Sequence, residues 1–134
     1  MYHRDYLIRM IQQFIVFISQ LAGLKKKDDP EVLLLKMESA YLQFTGMSME
    51  ALHSISADGI IDLYSVSGEP DYNRILVTAV LFKEESAILK SIHDDTRAEY
   101  LTLKSLELVN AVRQHESNLH GELQELLKKE FPVT

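Results

Sequence analysis

Most of the acid–base chemistry open to this chain rests on five histidines: His3, His53, His93, His115 and His120. Asp94 and Asp95 follow His93, and a carboxylate beside an imidazole is the usual way to tune a general base. Position gives them a simpler role. Two long helical patterns meet there, so His93 suits the C-terminal end of one and Asp94 the cap of the next. His115 and His120 stand five apart, with Glu116 and Glu122 close by in sequence. A two-histidine zinc site on one helix needs partners a full turn apart, on one face, and this spacing misses it. Glu84 and Glu85 are adjacent, so on a helix they point about 100° apart and form no facing acid–base pair by themselves. With Lys83 they read as a solvated face.

The glycines at 23, 46, 59, 68 and 121 are isolated. They make no phosphate-cradling loop, nucleophile elbow or dinucleotide fingerprint. The chain has no cysteine, which removes thiolate catalysis, zinc fingers and disulfides together and suits a reducing cytoplasm. No catalytic, cofactor-binding or metal-ligating residue is assigned on these grounds, and no cofactor is expected.

Charge is distributed unevenly along the chain. Arg4, Arg9, Lys25, Lys26 and Lys27 against Asp5 give the first 27 residues a net +4, while the remainder carries 9 basic against 19 acidic residues. An interaction element leading an acidic body is the natural reading. The acidic body speaks against nucleic acid as a partner, because phosphate contacts depend on Lys and Arg. The longest unbroken apolar run in the leading segment is Phe14 to Ile18, flanked by Gln12, Gln13, Ser19 and Gln20. A bilayer span wants about 20 mostly apolar residues. A signal peptide puts its charges before the apolar core, not after it as Lys25 to Lys27 do. A membrane is therefore not the expected partner.

The elements that must position these residues are helices throughout. The first runs from about Arg4 to Ala22, with Leu7, Ile11, Phe14, Ile15, Ile18 and Ala22 on one stripe and Tyr6, Met10, Phe17, Leu21 and Leu24 on a second. So wide an apolar face exceeds what a surface helix needs. Gly23 suits its end. Asp29, Pro30 and Glu31 start a second helix lined by Leu33, Met37, Ala40, Tyr41 and Phe44 and ended by Gly46. Ser48 and Ser56 open two short helices, and Ser67 to Pro70 form a turn. A long helix from Asp71 to about Ser91 carries Ile75, Ala79, Phe82, Ser86 and Leu89 on one stripe. Another, to about His115, carries Ala98, Leu101, Ser105, Leu108 and Val112. Ser117 and Asn118 are placed to cap a last helix with Leu119, Leu123, Leu126 and Leu127. No alternating β-branched run predicts a sheet.

The segment from Phe82 to about Asn110 resembles a tetratricopeptide-type helical hairpin. Phe82 falls at the packing aromatic, Ser86 at the close approach, Asp94 in the turn, Ala98 at the small residue of the second helix, and Lys104 to Leu108 at its ending. Glu85, Leu89 and Asn110 depart from that frame, and no second copy fits residues 31 to 66. The opening residues Tyr2, Arg4, Asp5, Tyr6, Leu7, Arg9, Met10 and Ile11 resemble the start of a family of small all-helical Firmicutes proteins classed as a domain of unknown function. That resemblance implies a cytoplasmic helical fold and no particular activity.

The expectation is one all-α domain over residues 1–134, a helical bundle or stacked antiparallel hairpins, with an apolar association element at 1–24 leading a body at 30–134. Its expected role is non-enzymatic: docking a protein partner or, preferentially, self-association as a homodimer. The expected interface is Tyr6, Leu7, Met10, Ile11, Phe14, Phe17, Ile18 and Leu21, with a polar patch of Arg4, Asp5 and Arg9 in which Asp5 reaches Arg9 across one helical turn. Packing of the first helix centrally within its own chain, peripheral membrane binding through it, and an enzyme or small-ligand binder of unrecognised type stand as alternatives.

Overall fold

The structure is a computed structural model that describes residues 2–133. The elements run α1 (Tyr2–Lys27), α2 (Pro30–Thr45), α3 (Met49–Ser54), α4 (Ala57–Leu63), β1 (Ser65–Val66), β2 (Glu69–Pro70), α5 (Tyr72–Ser91), α6 (Asp95–Arg113), a 3-10 turn (Glu116–Asn118) and α7 (Gly121–Glu130). The fold is all-α, a helical bundle.

The sequence explains why α5 lies at the centre. From Ile75 to Phe82 its residues are apolar on every side except for Thr78, and all eight are buried. A helix apolar all round has to be surrounded. Helices α2 and α6 flank it, and α7 packs against both α5 and α1. Small side chains let α5 and α6 approach closely: Ser86 Oγ donates to the Ala98 carbonyl at 2.6 Å, and Ser105 Oγ to that of Ala79 at 2.8 Å. The two bonds pair rising with falling residue numbers, so α5 and α6 form an antiparallel hairpin, with Phe82, Ser86 and Ala98 inside it. Helix α1 joins through Phe14 and Phe17, whose rings meet Phe44 of α2 at 5.2 and 5.7 Å.

Most helix ends follow their capping residues. Ser48, Ser56, Asp71 and Asp94 each accept a bond from a backbone N–H of their helix's first turn. Gly46 ends α2 in the left-handed region, at φ +78°.

Several expectations need correction. Helix α1 runs through Gly23 to Lys27, because Leu24 packs on the core and Lys25 reaches Glu84 of α5. Tertiary contacts override the glycine. Asp29 precedes α2 with no side-chain cap bond, so Pro30 alone marks that start. The last helix starts at Gly121, capped by His120 Nδ1; Ser117 and Asn118 lie in the preceding 3-10 turn. The turn at Ser67 and Gly68 closes a two-stranded antiparallel ribbon, Ser65 opposite Pro70 and Val66 opposite Glu69, too short to show an alternating pattern. The largest correction concerns Glu84 and Glu85, which are both buried.

Candidate functional site

The wide apolar face of α1 divides in two. Met10, Ile11, Phe14, Ile18 and Leu21 are buried in the chain's own core, Leu7 and Phe17 are half-buried, and Tyr6 is exposed with Val16. Arg4, Asp5 and Arg9 are all exposed, and no Asp5–Arg9 ion pair occurs among the described residues. By length and composition α1 would suffice to cross a membrane over Arg4–Lys27, yet its inward stripe is committed to the bundle.

The part of α1 left outside adjoins exposed apolar surface of α2. On α2, Val32, Leu35 and Leu42 are exposed at 43, 63 and 58%, on the side opposite Leu33, Met37, Ala40 and Phe44. Their spacing of three and then seven keeps them on one stripe, with Ser39 between. Beside this stripe a groove of about 400 Å³ runs between the helices, lined by Gln13, Val16, Phe17 and Gln20 of α1 and by Gln43 and Phe44 of α2. Exposed Glu31 and Glu38 run along one side of the α2 stripe and Lys36 along the other, while α1 exposes Arg9, Lys26 and Lys27. The two helices thus carry apolar surface with opposite charge.

The second notable place is inside. Glu85 is 0% exposed, and its Oε1 accepts from the Tyr41 hydroxyl at 2.7 Å and meets His53 Nε2 at 2.8 Å. Its other oxygen is enclosed without a hydrogen-bond partner among the described residues. Burial first, then the Glu85 charge, then the bond to Glu85 raise the Tyr41 hydroxyl well above its ordinary pKa, so Tyr41 stays a donor. Behind His53, the buried Lys104 ammonium donates to the carbonyls of Leu52 and His53 at 2.6 and 2.9 Å, closing the negative end of α3. The Tyr100 hydroxyl also donates to the His53 carbonyl, at 2.8 Å. Helices α2, α3, α5 and α6 are tied together at His53.

Glu84 points the other way, as adjacent helical residues must. It pairs with Lys25 of α1, and its carboxyl acts on that of Glu130 at the end of α7. Burial first, then the Glu84 carboxyl, raise the Glu130 carboxyl above its ordinary pKa, against the opposing charge of Lys83 3.5 Å away.

The remaining histidines have local work. His115 stacks on Tyr72 at 4.5 Å, His120 caps α7, and His93 is exposed in the left-handed region at φ +63° after α5. The side chain of His3 lies outside the described residues. The pairing of His53 with Glu85 is one that adjacency in sequence does not show, since 32 positions separate them. A signal was nonetheless present: the stretch Ile75–Phe82, apolar but for Thr78, makes α5 central, and on a surrounded helix the following turn has no fully wet side.

No family model matches the chain, and no curated protein or solved structure does either.

Proposed function

We propose that this chain is a non-enzymatic helical interaction domain that binds a second copy of itself through the outward face of α1 and α2. The observation that carries this reading is the exposed stripe Val32, Leu35 and Leu42, an apolar seam at helical spacing that the chain's own core leaves uncovered. Charge supports a second copy as occupant. In a two-fold arrangement the basic outer side of α1 lies along the acidic rim of its twin's α2, and each contact occurs twice. Five of the α1 residues expected at the interface serve instead as the scaffold that holds this face rigid. A cytoplasmic setting, in keeping with the absence of cysteine, belongs to the same reading.

The double variant Leu35→Glu, Leu42→Glu tests it, because both side chains are exposed and their loss leaves the core intact. The variant is expected to keep its helical circular dichroism and to have half the solution mass of the native protein. Equal masses for the two would reject this face as the interface. A second reading, attachment of α1 to a membrane surface, has that helix's length and composition behind it. It predicts sedimentation with anionic vesicles at low salt, and protein left in the supernatant would dispose of it.

A further inference from the structure

A cavity of about 300 Å³ opens where α3 meets the first turns of α6, lined by His53, Thr96, Arg97, Tyr100 and Leu101. It is separate from the α1–α2 face. Its lining is mostly apolar, and the residues able to offer polar groups to it are His53, Thr96, Arg97 and Tyr100. None of the lining residues is acidic. Arg97 is exposed and only 3.7 Å from the Asp94 carboxylate, which leaves its remaining N–H groups available. We infer that this cavity binds a small carboxylate with an apolar body, such as an aryl or branched-alkyl acid, with the carboxylate on Arg97 and Thr96 and the apolar part against Tyr100, Leu101 and the His53 ring.

Three features favour that ligand class. The first is size, since a cavity of roughly 150 Å³ already holds a benzene ring, and ligand sites start near about 300 Å³. The second is sign: Arg97 and Thr96 bring a guanidinium and a hydroxyl to a cavity without a lining carboxylate, which favours an anion over an amine and suits the planar fork of arginine. The third is rigidity. Two of the walls are tied to the interior before any ligand arrives. Glu85, fully buried, holds the His53 ring through Nε2 at 2.8 Å, and the His53 carbonyl holds the Tyr100 hydroxyl at 2.8 Å. Walls that are already ordered spare the ligand the entropy of ordering them. A carboxylate kept at 0% exposure in the middle of α5 gains a purpose here that packing alone does not supply: it sets the orientation of the imidazole at the cavity wall.

The test is a titration of the full chain with sodium benzoate, followed by amide shifts in two-dimensional NMR, with benzylamine as the matched cation and benzamide as the neutral control. Benzoate is expected to shift the amides of Thr96, Arg97, Tyr100 and Leu101 saturably, while benzylamine leaves them in place and benzamide binds more weakly. Arg97→Ala, a change at an exposed side chain, is expected to weaken benzoate about tenfold or more, as loss of a charged hydrogen bond should. Absence of saturable shifts at these four amides would overturn the inference. So would benzylamine binding as well as benzoate, or an Arg97→Ala protein that keeps the native affinity.

Discussion

Replacing Tyr41 with Phe removes one oxygen atom from the middle of the buried network and little else. The ring keeps its neighbours, Phe82 and His53, at 5.9 and 6.3 Å between centroids. What is lost is the 2.7 Å bond to Glu85 Oε1, which leaves a fully enclosed carboxylate with His53 as its remaining partner. A hydrogen bond to a charged group contributes about 1.5–3 kcal/mol, so Tyr41→Phe should cost about 2 kcal/mol at neutral pH. Alkali then narrows the difference. Tyr41 titrates well above the ordinary tyrosine value in the folded protein, because of burial first and Glu85 second. The native state therefore holds a proton that the unfolded chain releases above about pH 10. Stability linked to that proton is fully present below this point and is lost as pH rises toward the folded value, by about 1.4 kcal/mol per pH unit. Phenylalanine has no such proton. The gap between native and variant should shrink steadily above about pH 10. Urea unfolding monitored by far-ultraviolet circular dichroism measures both proteins at each pH. Every lysine and every other tyrosine is common to the two, so the difference isolates Tyr41. A neutral-pH loss under about 0.5 kcal/mol, or a gap that stays constant into alkali, would refute a charged Glu85 held by Tyr41.

Two further substitutions test the edges of the network. Glu130→Gln should raise the thermal midpoint at pH 7 by up to roughly 4 °C, because a neutral amide replaces a carboxyl that burial first and Glu84 second hold above its ordinary pKa. The folded carboxyl is raised, so native stability is greatest below the ordinary carboxyl range and declines as pH climbs through the folded value. The variant should lose that decline, and parallel pH profiles would show that the Glu130 carboxyl is not raised. Gly46→Ala should cost about 1 kcal/mol in urea unfolding with unchanged slope. Its new Cβ would meet nothing nearer than Arg74 Nη1 at 3.8 Å, so the cost comes from the +78° backbone angle alone, and an unaffected midpoint would contradict that angle.

Local chemistry made much of the fold legible in the sequence. Ser48, Ser56, Asp71, Asp94 and Gly46 mark helix ends because each satisfies backbone groups within a few residues of itself. The inward stripe of α2 is likewise set by its 3.6-residue period. What escaped depends on contacts between distant segments. The Lys25–Glu84 pair carries α1 past Gly23, and nothing near Gly23 announces it. The candidate site was less legible still. Glu85 looked wet beside Lys83 and Glu84, yet it meets Tyr41 from 44 positions away and His53 from 32. Side chains that far apart come together only once α2, α3 and α5 have packed. The outer stripe of α2 was readable in principle, since Val32, Leu35 and Leu42 repeat at helical spacing. It was overshadowed by the denser apolar pattern of α1, most of which fills the core.

The central claim is that the outward face of α1 and α2 joins two copies of this chain. Light scattering on a sizing column, with the intact protein at two concentrations and two salt levels, tests it most directly. The expected result is twice the 15.4 kDa chain mass at low salt, with some dissociation at high salt as opposite charges are screened. A mass of one chain at both concentrations and both salt levels would contradict it.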